Sequence, residues 1–184
     1  MIYACLHQQE FEDLPYRMEP LRHEDIFLIK QWRNEQMDIL RQNVLLTDAM
    51  QKSYFENVIK PSFTKSQPEQ ILFSFFKNAL LIGYGGMVHI DWKAKEGEVS
   101  FLVDTEREKN STDYRSDFSS FLKLIKSVAF KDLQFKRLFA ITYDIRPLHL
   151  SILENSGFIE EKRLKNEMTI NEKLVDVLIH GCEA

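Results

Sequence analysis

The segment Gly97 to Asp104, GEVSFLVD, sets one carboxylate, Glu98, at the head of an almost unbroken apolar run. A carboxyl group held in apolar surroundings has its pKa raised, and a general base or acid working near neutrality needs that shift. The plainer alternative is an exposed carboxylate at a strand end. His89, in GYGGMVHI, is a second candidate base beside an acceptor groove, or a hydrogen-bonded structural histidine. The glycines before it lie inside a strand pattern, where they mark close packing or a bulge rather than a phosphate loop. Trp32, Arg33, Asn34 and Gln36, followed by Arg41 and Gln42, combine a flat apolar face with hydrogen-bonding groups, a mixture suited to a sugar or nucleotide. The same residues also fit an amphipathic helix with Trp32 turned inward. Cys5 and Cys182 sit at opposite ends without metal-ligand spacing, so reduced thiols and no metal site are expected.

These side chains need elements to hold them. The chain has 184 residues, 44% of them hydrophobic, enough for one domain around one core. A formal net charge of −4 with scattered cations supplies no face for nucleic acid. No segment has the roughly 18 apolar residues of a membrane span and no leader pattern is present, so a cytoplasmic protein, monomer or homodimer, is expected.

A strand at Tyr16 to Leu21 leads to a helix over IFLIKQWRNE, with Asp25 able to accept from its first amides. A second helix starts after Thr47 or Asp48 and stops at Pro61. Three strands follow, Ile71 to Phe76, Ala79 to Ile90 and Gly97 to Asp104, joined by hairpin-length connections. Phe118, Phe121, Leu122, Ile125, Val128 and Ala129 have helical spacing. A strand (RLFAITYD), a short helix (RPLHLSILENSG) and two antiparallel strands turning near Asn171 and Glu172 complete the chain. The expected fold class is α+β: about seven strands in a mixed, mostly antiparallel sheet, flanked by about four helices. Between the third of those central strands and the helix at Phe118 lies a polar connection, Thr105 to Asp117, with no glycine.

That order of elements, with MEPLRHEDIFLIKQWRN at the start and LENSGF and NEKLVDVLIHG near the end, resembles the GCN5-related N-acetyltransferase (GNAT) superfamily, notably its ribosomal-protein-acetylating and amino-sugar acetyltransferase branches. The resemblance covers about Tyr16 to Gly181 and rests on the ordered set. It implies acetyl-coenzyme A as co-substrate, held in a V-shaped gap beside the central strand. Phe101, Leu102 and Val103 would then bond the pantetheine arm through their backbone, with an oxyanion donor N–H near Leu102. The pyrophosphate would rest on the start of the following helix, at about Asp113 to Phe118. Tyr114, Arg115, Ser116 and Asp117 lie there, and Lys109 or Arg115 could add a cation. Neither of the family's glycine positions is glycine here. The loop is therefore either modified and still binding, or the fold persists in a non-catalytic ligand- or partner-binding module.

The resemblance also makes Glu98 the base. The family's general acid, a tyrosine in the short helix, is replaced by Leu153, and the asparagine opening that helix by Arg146; Tyr143 and Tyr114 are substitutes by proximity. The implied reaction is direct acetyl transfer to a primary amine of a small molecule, an amino sugar or nucleotide-linked amino sugar first and a protein N-terminus second.

Overall fold

The computed structural model describes residues 1–40 and 42–184. Eight strands form one sheet in the order β1-β2-β3-β4-β5-β6-β8-β7: β1 Phe11–Asp13, β2 Tyr16–Pro20, β3 Ile71–Lys77, β4 Leu80–Asp91, β5 Glu96–Val103, β6 Arg137–Tyr143, β7 Ile159–Ile170 and β8 Lys173–Glu183. Helices α1 Ile26–Glu35, α2 Asp48–Tyr54 and α3 Lys60–Ser62 precede β3. Helices α4 Thr105–Lys109 and α5 Ser111–Lys126 join β5 to β6, and α6 Pro147–Asn155 joins β6 to β7. The α+β class and the element order match the sequence reading; β1 and α4 are additional.

Local chemistry explains most boundaries. Thr47 caps α2 by accepting from the Met50 amide. Helix continues past Tyr54 through a wide turn at Phe55–Ile59 and into α3, so Pro61 falls within the helical run rather than ending it. Asp25 does precede α1 but caps none of its amides. Its carboxylate instead takes a bidentate pair from Arg22, at 2.8 and 2.7 Å, and a 2.6 Å hydrogen bond from the Ser74 hydroxyl. Buried Ser74 in the middle of β3 and buried Asp25 thus satisfy each other.

β3 is buried along nearly its whole length, as its unbroken apolar sequence requires. β4 crosses β5 at close range: a Cβ on Gly85 would lie 2.3 Å from the Ser100 carbonyl oxygen and 2.7 Å from the Phe121 ring. GYGG is therefore a packing device. Phe101 of β5 stacks on Phe118 with centroids 4.6 Å apart and leans on Phe121 at 4.5 Å, fixing α5 against the central strand.

Two buried histidines give the fold a pH dependence. His149 stacks on Phe118, and burial, the Arg146 charge and His180 hold it well below its ordinary value. His180 has neither ring nitrogen hydrogen-bonded among the described residues, and burial lowers it too. The fold therefore disfavours protonating either ring, while the unfolded chain takes protons near pH 6.5. Stability is therefore at its plateau above that value and falls as pH drops below it. Thermal unfolding at pH 7 and 5.5 should show the loss, and His149→Phe should reduce it.

Candidate active site

β5 and β6 are parallel and paired from Glu96↔Arg137 to Glu98↔Phe139, after which they separate. The gap is a cleft of about 190 Å³. Glu98 to Phe101 form one wall and Ala140 to Tyr143 the other, while Phe118, Arg146, His149, Arg33 and Leu40 complete it.

Glu98 is 3% exposed. Its Oε2 lies 2.7 Å from Nδ1 of His89, whose side chain is 67% exposed. The sequence separation of nine residues becomes a contact because β4 has a bulge between Val88 and Asp91, and His89 there adopts a φ of 48°. A bulge re-aims a side chain, and a non-glycine residue in the left-handed region is held there by its surroundings. A buried carboxylate thus meets an imidazole that reaches solvent, an arrangement able to move a proton from the cleft outward.

Opposite, Tyr143 ends β6 and lines the cleft. Just before α6, the Arg146 Nη2 donates to the Tyr114 hydroxyl at 2.7 Å, and that hydroxyl lies 2.7 Å from Nδ1 of His149 on α6. With Arg146 donating, the phenol proton points to His149 and fixes its tautomer. Burial pushes Tyr114 up to about 12, which keeps this phenol protonated. Arg146 also lies 3.5 Å from Glu108.

The residues expected to cradle a pyrophosphate lie elsewhere. Asp113 to Phe118 is not a loop but the body of α5, which begins at Ser111. Asp104 caps α4 by accepting from the Glu106 and Arg107 amides, and Asn110 caps α5 by accepting from those of Thr112 and Asp113. Both helix starts thus already hold an acceptor from their own chain. Lys109 is exposed and paired with Glu106 at 2.7 Å; Arg115 is exposed. Ser116 donates to the Thr112 carbonyl, and Asp117, fully buried, is held by Arg107 and Tyr16. None of these four lines the cleft, and Tyr114 acts through Arg146 and His149.

On β5 only Phe101 of the expected trio lines the gap. Leu102 and Val103 are buried, and the Val103 carbonyl accepts from Gln36 Nε2 at 2.8 Å. Val99 and Ser100 line it instead. Of the α1 residues read as acceptor ligands, Trp32 is buried and donates its indole N–H to Asp104 at 2.9 Å. Asn34 bonds the Leu46 backbone in both directions, which ties the approach to α2 onto α1. Arg33 alone lines the cleft, and it donates to Tyr84 and to Gln42. Arg41 lies outside the described residues. Arg146 occupies the position of the family's helix-opening asparagine, whereas His149, falling among apolar residues, carried no sequence sign of a cleft role.

Residues 18–179 match the family model described as an acetyltransferase (GNAT) domain, and the chain belongs to that family. The GNAT class is one of N-acetyltransferases whose acetyl donor is acetyl-coenzyme A. No curated protein sequence matches it. Among solved structures it resembles the Vibrio cholerae spermidine N-acetyltransferase in complex with CoA and spermine, with 17% identity over 93% of this chain and 96% of that one and a TM-score of 0.78. A chimera of that enzyme with a human counterpart gives 16% identity over 92% and 95%, TM-score 0.76. A structure described as a putative acetyltransferase gives 14% over 96% and 87%, TM-score 0.71. At these identities the likeness is one of fold. The specific ribosomal-protein and amino-sugar branches find no counterpart in these matches.

The cleft suits part of the donor better than the rest. Beyond Glu98 the β6-facing edge of β5 is not bonded to β6, so Val99 to Phe101 offer backbone groups to an amide-bearing arm. For the phosphates, no glycine loop is present, and Arg146 is the cation that the α6 side of the cleft supplies. Among the described residues no cluster of three or more His, Cys, Asp or Glu could hold a metal, and no helix is long and apolar enough to cross a membrane.

Proposed function

We propose that this chain acetylates a primary amine of a small molecule by direct transfer in a ternary complex, with Glu98 as base. The observation that carries this reading is the buried Glu98 bonded to His89 on the wall of a splayed β5/β6 cleft. Acetyl-coenzyme A supplies the thioester acetyl group when bound. Glu98 takes the proton from the incoming ammonium, and His89 passes it to solvent. A β5 backbone N–H between Val99 and Phe101 stabilises the oxyanion, and Tyr143 is the proton donor we assign to the departing thiolate. Neither cysteine lines the cleft, in keeping with transfer without an acyl-enzyme.

An amino-sugar acceptor drew on Trp32, Asn34 and Gln36 as a platform. Their bonds to Asp104, Leu46 and Val103 leave Arg33 as the remaining element of it. The spermine seen with the Vibrio cholerae enzyme makes a polyamine another small-molecule acceptor to test, and a protein N-terminus is a third. The two side-chain-capped helix starts favour a second reading, a module that has kept the fold and lost the donor.

Calorimetric titration with acetyl-coenzyme A separates the two. Binding with a Kd on the order of micromolar supports the enzyme; no heat at millimolar donor supports the module. Arg146→Ala should weaken coenzyme A by about tenfold and leave a phosphate-free pantetheine analogue nearly unaffected. Equal losses for both would remove Arg146 as a phosphate ligand.

A further inference from the structure

A second cavity, of about 440 Å³, lies between α1, α2 and β4. It meets the β5/β6 cleft at two residues that line both, Arg33 and Ser100. Its walls are mostly apolar, with Leu21, Ile29, Met50 and Leu72 among them. Its polar groups besides Arg33 and Ser100 are Tyr54, Tyr84 and Gln51, and no carboxylate lines it among the described residues.

Arg33 is half-buried there. Its Nη1 donates to the Tyr84 hydroxyl at 2.5 Å and its Nε to the Gln42 Oε1 at 3.0 Å, both neutral acceptors. Arg17, Arg22, Arg107, Arg137, Arg146 and Arg163 each have a carboxylate within 4.0 Å. Among the described residues Arg33 and Arg115 do not, and Arg115 is exposed on α5. Withdrawing a guanidinium from water without a counter-charge is unfavourable unless a ligand supplies one. The planar fork fits an oxyanion, and Nη2 has no hydrogen bond among the described residues.

We propose that the acceptor is an amine whose other end is anionic, with Arg33 and Tyr84 binding that end and an apolar body filling the cavity. The amine then reaches Glu98 past Ser100. A polyamine would instead bring further cations towards Arg33, and a like charge within roughly 6 Å costs on the order of a hundredfold in affinity at intermediate dielectric. This inference rests on the acetyltransferase reading and narrows its substrate.

Four probes share one hydrocarbon chain and differ at the far end: aminohexanoate, aminohexyl phosphate, hexylamine and diaminohexane, with spermidine as the polyamine. One of the two anionic probes should show a kcat/KM about ten- to a hundredfold above hexylamine, and which one does so identifies carboxylate or phosphate. Arg33→Gln should abolish the preference, and Arg33→Lys should keep part of it, showing that the fold survives. Hexylamine, diaminohexane or spermidine performing as well as both anionic probes would overturn the proposal. A second readout does not need turnover: ligand-observed NMR with hexanoate and hexylamine on the protein alone. Hexanoate should bind and be lost in Arg33→Gln; failure to bind, or equal binding of the two, overturns the proposal even where acetyl-coenzyme A binds normally. If acetyl-coenzyme A fails to bind, the enzyme reading falls while hexanoate still decides whether Arg33 is an anion site.

Discussion

Glu98→Gln is expected to lower kcat/KM for amine acetylation by about a hundredfold or more, the usual worth of a general base. Glutamine keeps the volume and can still meet the His89 ring, so the burial of position 98 and the bulge at Val88 to Asp91 have no reason to change. It cannot accept the ammonium proton. The variant should keep the wild-type thermal midpoint, so that the loss is one of chemistry and not of folding. His89→Ala should cost less, since its exposed ring relays a proton that water can also carry. A Glu98→Gln enzyme with the wild-type rate would remove the carboxylate from the mechanism.

Glu98 was legible because a lone carboxylate in an apolar strand is conspicuous. Its partner was not, because the contact depends on a bulge and a left-handed residue at His89, which no periodicity announces. The β7/β8 hairpin was legible down to its turn, where Asn171 and Glu172 take φ of 48° and 63°. β1 is three residues long, below the length at which alternation can be read.

The junction after β5 misled for a specific reason. Tyr114 extends the apolar stripe of α5 four residues ahead of Phe118, but Asp117 interrupts it on a buried face. A buried aspartate reads as surface until its partners are known, and these come from α4 and β2. Helix α4, TEREK, has no apolar stripe at all: its Asp104 cap and the reach of Arg107 to Asp117 hold it. Those carboxylate contacts use up the junction, and the cation that lines the cleft on that side is Arg146, the residue just before α6.

Asp117→Ala should therefore destabilise the protein by about 2 to 4 kcal/mol, close to the loss for breaking a buried ion pair. The carboxylate is fully buried, accepts from Arg107 Nε at 2.6 Å and Nη2 at 2.8 Å, and takes the Tyr16 hydroxyl at 2.9 Å. Removing it orphans the buried phenol and leaves Arg107 with Asp113 at 3.1 Å. That remaining partner and the partial exposure of Arg107 keep the cost below that of a fully buried cation. Asp117→Asn should cost less, because it preserves one acceptor for Tyr16 and Arg107. Combining Asp117→Leu with Arg107→Leu should recover much of the loss, since an apolar pair of similar volume need not desolvate a charge. Chemical unfolding measures the three stabilities, and hydrogen exchange locates the effect. In Asp117→Ala the amides of α4 should lose protection before those of β3 to β5, because α4 has no apolar face to keep it folded once Arg107 is released. An Asp117→Ala protein as stable as wild type, with α4 still protected, would mean that Asp104 alone holds the junction and that its polar contacts to Asp117 contribute nothing measurable.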